Sequence, residues 1–199
     1  MESTEYYPNL EVGHIFSRSW EVFKANMGLV FGVLAVQILV TMISAIIPII
    51  GPLLIGGPLG AGVYFVLVRL VRDEEVVVRD MFDGFKEFGR TLGVYWLYSI
   101  VVMVGMILFV VPGLILAIGL MPAMYLVLDS NYGVGDTLQE SWEMTKGHKW
   151  SLFVLSLAIM GIIILGVLAF LVGAIFAIAF AYVVMAAAYD ELSQAQPVE

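Results

Sequence analysis

The 199 residues contain no cysteine. A disulfide framework, a thiol nucleophile and a thiolate metal site are therefore all excluded. Histidine is almost as scarce. His14 and His148 stand far apart and do not make a metal centre. Charge is thin as well: 13% of the residues are charged, against about 25% in soluble domains. Basic excess is missing, and the net charge of −8 argues against nucleic acid as a partner. No P-loop, GxSxG, HExxH or GxGxxG occurs. The opening MESTEYYPNLEVG is acidic and has no basic region followed by a short apolar core. It does not read as a signal peptide.

What the chain has is apolar sequence, 61% of the residues. The charges leave three long gaps, at 25–68, 91–128 and 150–189. Each is about twice the roughly 20 residues of one membrane-spanning helix. The expectation is six spans at 28–48, 54–71, 92–111, 113–128, 151–171 and 173–189, paired as three hairpins. Turn signals support this: Pro48, Pro52 and Pro58 in the first gap, Pro112 and Gly113 in the second, and Gly166 and Gly173 in the third.

All nine Lys and Arg lie outside the gaps. If each gap is a hairpin, every cation lies on one face. The positive-inside rule makes that face cytoplasmic, with both termini on it. Inside the spans the polar groups are mild: Gln37, Thr41, Ser44, Ser99, Ser156 and several tyrosines. Such groups bond between helices more often than they line an ion path.

One motif occurs twice. SWEVFK starts at Ser19 and SWEMTK at Ser141. Behind each runs an apolar stripe in steps of four: Val12, Phe16, Trp20 and Val134, Leu138, Trp142. The series Val77, Met81, Phe85, Phe88, Leu92 has the same spacing as Val12 to Met27. Steps of four and three mark one face of a helix. The expectation is an amphipathic helix in the membrane plane before each hairpin. Its interfacial anchors would be Trp20, Lys24, Phe85, Trp142 and Lys146. The repeat units would span approximately 9–71, 77–128 and 134–190 of a single membrane domain, 1–199.

Other candidates follow from position. Arg69, Asp129 and Asp190 end spans on the inner face and form a candidate polar cluster, unless each reaches water separately. The run RDEEVVVRD at 72–80 reads as a solvated connector. Gly56 with Gly60, and Gly173 with Ala177 and Ala181, have the small-xxx-small spacing of close helix packing.

SWEVFKAN at 19–26, FDGFKEFGRTLGVYWL at 82–97, VPGLILAIGLMPAMYLVLD at 111–129, ESWEMTKGHKWSLF at 140–153 and AYDEL at 188–192 together resemble a family of uncharacterised prokaryotic integral membrane proteins. That family is related to the membrane domain of glycerophosphodiester phosphodiesterases. The resemblance covers nearly the whole chain. It implies a six-helix fold with cytoplasmic connecting helices and no known activity. The soluble phosphodiesterase domain has no room in this sequence, so its reaction is not carried over.

The reading is an all-α, polytopic, multi-pass protein of the cell (inner) membrane with six transmembrane helices. The expected role is a non-enzymatic module organising lipids or partner proteins at the cytoplasmic surface. A transporter or channel for a small neutral or amphipathic molecule is the alternative, and a lipid-acting enzyme comes third. No cofactor or metal is expected. The expected partners are the lipid bilayer and other membrane proteins or a second copy.

Overall fold

The computed structural model describes residues 11–47, 50–168 and 170–195. Pro48 and the acidic stretch before Glu11 lie outside them. Among the described residues the chain is helical, with no strand. The helices are α1 (Val12–Ala25), α2 (Met27–Ser44), α3 (Ile50–Val71), α4 (Phe88–Leu108), α5 (Val110–Gly119), α6 (Ala123–Asp129), α7 (Val134–Met144), α8 (Lys149–Leu168) and α9 (Phe170–Gln194). A 3₁₀ segment, Val78–Phe85, stands between α3 and α4.

Among the described residues six stretches are long and apolar enough to cross a membrane: Met27–Ser44, Gly51–Val71, Phe88–Leu108, Val110–Asp129, Lys149–Leu168 and Gly173–Gln194. They fall where the charge gaps place six spans. The fourth is two helices, α5 and α6, interrupted over residues 120–122. Pro122 has no N–H to continue the ladder and disfavours a helical residue before it.

Burial alternates along the chain. The second, fourth and sixth spans are 61%, 50% and 56% buried, the first, third and fifth only 22%, 17% and 17%. So α3, α6 and α9 form the centre, and α2, α4 and α8 stand outside them. Leu67 of α3, Tyr125 of α6 and Val184 of α9 are core residues. Ala186, Ala187 and Ala188 are fully buried, and such small side chains let neighbouring helices come close. The outer helices expose large apolar side chains such as Met42, Ile107 and Leu165. α1 packs on α9, the 3₁₀ segment on α3, and α7 on α4 and α6.

Several expectations are corrected. Pro58 does not interrupt its span, because α3 runs through it. Pro112 is not the second turn. The chain turns at Phe109, whose backbone is extended (φ −159°, ψ 138°). Pro112 sits in the first turn of α5, where helix N–H groups have no intrahelical acceptor to lose. Gly166 and Gly173 mark a contact rather than a turn. A Cβ on Gly166 would lie 2.6 Å from the Gly173 carbonyl oxygen across α8 and α9.

The series from Val77 to Leu92 is not one helix. The 3₁₀ segment ends at Phe85 and α4 begins at Phe88. The cause is backbone contact with α3. A Cβ on Gly62 would sit 1.7 Å from the Met81 carbonyl oxygen, and one on Gly84 1.9 Å from that of Pro58. Only glycine permits this approach, and Met81 is fully buried beside it.

The apolar stripes are displaced too. The buried face of α1 is Ile15, Ser19 and Phe23, one position off Val12, Phe16 and Trp20. In α7 it is Thr137, Leu138, Ser141 and Met144. Of the four residues the two copies share, Ser, Trp, Glu and Lys, only the serine is fully buried.

Candidate functional site

α3 ends without glycine. Asp73 takes the left-handed conformation (φ 58°), its N–H donates to Leu70, and the Glu74 N–H donates to Arg69. This double bond pattern closes a helix with two of its last carbonyls satisfied, and Asp is among the few side chains that tolerate it. The cap fixes Arg72 at the helix end, aimed at α6 and α9.

Arg72 then spans two carboxylates. Its Nη1 and Nη2 donate to Asp129 Oδ1 and Oδ2 at 2.7 and 2.8 Å, and its Nε donates to Asp190 Oδ1 at 2.8 Å. The paired carboxylates hold the guanidinium pKa above its ordinary value, chiefly through the Asp129 hydrogen bond and against the opposing effect of burial. Arg18 Nη1 lies 3.0 Å from Asp190 Oδ2, and its Nη2 donates to the Val71 carbonyl at 2.8 Å. The Gln194 Nε2 donates to Asp190 Oδ2, and the Tyr189 hydroxyl donates to Asp129 Oδ2. Every oxygen of these two carboxylates has a partner. Four helices, α1, α3, α6 and α9, are tied at one point.

The structure thus brings together Asp129 and Asp190 of the candidate polar cluster. It does not bring Arg69, which pairs with Glu74 at 2.6 Å. Arg72 and Arg18 take the central places. Arg72 opens the run read as a connector, and one helical turn separates it from Arg69. Nothing in a charge pattern distinguishes which of the two faces inward.

The second SWExxK docks on the break between α5 and α6. Ser141 and Thr145 hydroxyls donate to the Gly119 carbonyl at 3.3 and 3.0 Å. The Trp142 ring covers the same glycine, with its edge 2.5 Å from where a Cβ would be. Lys149 Nζ lies 2.9 Å from the Trp142 ring centroid. Lys146 instead pairs with Glu143. In the first copy Lys24 Nζ stands 5.7 Å from the Trp20 ring, and Trp20 meets Phe180 edge-on. Trp20 is 48% exposed. Phe85 is half-buried in the 3₁₀ segment beside Phe82. Of the small residues proposed for packing, Gly173 and Ala177 meet Gly166. Gly56 and Gly60 are in ordinary contact with Tyr95 and with Tyr64 and Met124, whereas Gly57 makes the tight approach, to Thr91 and Tyr95.

A third feature adjoins the ion cluster. Tyr189 stacks on Tyr125 (5.2 Å between centroids), and Tyr125 on Tyr64 (4.4 Å). Past them lies a cavity of about 230 Å³ walled by Tyr64, Tyr98, Tyr125, Tyr182, Met121 and Met185. No ionisable acid or base other than tyrosine lines it. Rings, thioethers and hydroxyls of this kind suit a small neutral molecule. Among the described residues no group of three or more His, Asp or Glu is placed to hold a metal.

Comparison with known proteins adds one result. Residues 98–196 match a family model described as a protein of unknown function (DUF975). That is consistent with the uncharacterised family expected from the motifs, and shows no link to glycerophosphodiester phosphodiesterases. No curated protein and no solved structure matches the chain.

Proposed function

We propose that this is a non-enzymatic module of the cell membrane that organises lipids or partner proteins at the cytoplasmic surface. It is built of three units, each an amphipathic segment followed by a hairpin, with both termini cytoplasmic. The placing of Arg18, Lys24, Arg72, Arg79, Lys86 and Lys146 outside the apolar spans, and of Arg69, Arg90 and Lys149 within their terminal turns, supports that orientation. The relation to the membrane domain of the phosphodiesterases belongs to the same proposal.

One observation carries the reading. The strongest polar chemistry is closed on itself, while the aromatic rim is open. Each oxygen of Asp129 and Asp190 is paired within the protein. Trp20 and Trp150, each beside a lysine, are 48% and 74% exposed. Tryptophan and lysine at a span end are the residues that meet headgroups. Native mass spectrometry after extraction in a mild detergent tests the proposal. Co-purified lipid or a protein partner in defined ratio is expected, and a bare chain under several detergents overturns it.

The tyrosine cavity favours a second reading, passage of a small neutral molecule. Vesicles carrying the protein would then swell faster in glycerol or urea than empty vesicles. Ala181→Trp, placed at the cavity wall, would abolish the difference. Equal swelling with and without protein is the outcome expected from the first reading.

A further inference from the structure

We infer that the groove between α5 and α8 seats one anionic phospholipid, an acyl chain along α5 and the phosphate on Lys149. The inference rests on the lipid-organising reading and gives it a site. The groove is about 300 Å³ and is walled by Val111, Leu114, Ile115 and Ile118 of α5 and Trp150 and Phe153 of α8, with Lys149 at its end. From Val111 to Ile118 the helix rises about 10 Å. Val111 and Ile115 are 68% and 46% exposed, so the groove opens outward, toward the bilayer.

The charge at the end is what selects the occupant. Arg18, Arg69, Arg72, Lys86, Arg90 and Lys146 each have a carboxylate within 4 Å. Lys149 has none among the described residues. Glu143, an acidic residue that acts on it, is taken by Lys146. Lys24 and Arg79 also lack an ion pair, but neither lines this groove. The Trp142 face holds the Lys149 ammonium in place and leaves it N–H donors on the side away from the ring.

The occupant therefore has an apolar tail about 10 Å long or more and an anionic head. It reaches the groove from the membrane. A phospholipid with net negative charge fits all three conditions. A soluble phosphate has no tail for the α5 wall, and a zwitterionic lipid brings an unmatched cation to Lys149.

The test uses the full chain in mild detergent and native mass spectrometry. Phosphatidylglycerol and phosphatidylcholine with identical acyl chains are titrated in turn, then inorganic phosphate as competitor. The parent is expected to bind one phosphatidylglycerol in preference, undisturbed by millimolar phosphate. Lys149→Gln should weaken phosphatidylglycerol about fivefold, the usual effect of one lysine at an anionic surface. Lys149→Arg should keep it. Ile115→Trp, which fills the groove and leaves the charge, should weaken both lipids. Circular dichroism confirms that each variant folds. If Lys149→Gln and Ile115→Trp both bind phosphatidylglycerol as the parent does, the groove is not the site, while lipid organisation elsewhere on the molecule stands. A parent that retains neither lipid overturns the site and the lipid-organising reading together, and displacement by phosphate overturns the lipid as the source of the anion.

Discussion

Arg72 and Asp129 meet fork to fork, two parallel N–H···O bonds at 2.7 and 2.8 Å joining the ends of α3 and α6. The pair closes a contact that no local sequence pattern requires. Asp190 completes it from α9, with its side chain 1% exposed.

Arg72→Met should therefore destabilise the bundle, by less than the roughly 3–5 kcal/mol of a fully buried pair, because the Arg72 and Asp129 side chains are 27% and 20% exposed. Arg72→Lys keeps the charge but loses the fork, and should recover only part of that loss. Unfolding by SDS, followed by tryptophan fluorescence, measures both. Equal stability of parent and Arg72→Met would mean that the cluster contributes nothing to holding the four helices.

Gly62 and Gly84 give a sharper test. Alanine at either forces a methyl group into a backbone carbonyl, at 1.7 and 1.9 Å, so the 3₁₀ segment must lift from α3. A loss of about 3 kcal/mol or more is expected for each, at the upper end of overpacking costs. Gly13 and Gly28 are controls within the same chain, since nothing lies within 4 Å of a Cβ there. Both are helical, and alanine should add about 0.5–1 kcal/mol. The same unfolding assay ranks the four variants.

The spans were legible because charge is excluded from about 30 Å of hydrocarbon, a constraint on composition that needs no knowledge of packing. The details that failed depend on packing. Pro112 broadcasts a turn, but a proline is equally at home in the first turn of a helix, and Phe109, the residue that turns, carries no signal. The stripe through Val77, Met81 and Phe85 has helical spacing, yet Gly62, a distant residue on another element, decides that the segment is 3₁₀. Trp20 and Trp142 stand out in sequence as the large residues, whereas Ser19 and Ser141 are the ones fully buried. Asp129 and Asp190 were found because they end spans. Arg72 was hidden among neighbours of mixed sign.

Gly119 and Trp142 should be coupled. Gly119→Ala places a methyl 2.5 Å from the ring, and Trp142→Ala removes the obstacle. Each single variant should speed hydrogen exchange over residues 134–146. In the double variant the two effects should fall short of adding, by at least about 0.5 kcal/mol. Strict additivity would show that α7 does not rest on the break between α5 and α6.

His148 is 3% exposed, and burial lowers its pKa from the ordinary 6.5. The unfolded chain then takes up a proton at a pH where the folded protein does not. Stability is fully present above about pH 6.5 and is lost as pH falls from there toward the lower folded value. Unfolding midpoints measured between pH 7.5 and 5 should show this slope in the parent and a shallower one in His148→Gln. Identical slopes would remove His148 as the source.

The orientation can be read with single cysteines, because the chain has none of its own. Ile46 and Phe109, at the ends of α2 and α4, are 78% and 73% exposed. The Lys86 and Lys146 side chains are 73% and 48% exposed, on the segments that precede α4 and α8. If the basic segments are cytoplasmic, an impermeant maleimide added to intact cells should label Ile46→Cys and Phe109→Cys only. Lys86→Cys and Lys146→Cys should react after permeabilisation. Two charge-free turns and two cation-bearing segments make the prediction redundant, so that one poorly reactive site does not decide it. Labelling of both lysine positions from outside, with the other two protected, would invert the protein in the membrane. It would also move the Arg72 cluster and the Lys149 groove to the external face. Labelling of one position from each group would instead break the three-hairpin topology, because an odd number of crossings would then separate positions that three hairpins keep on fixed sides.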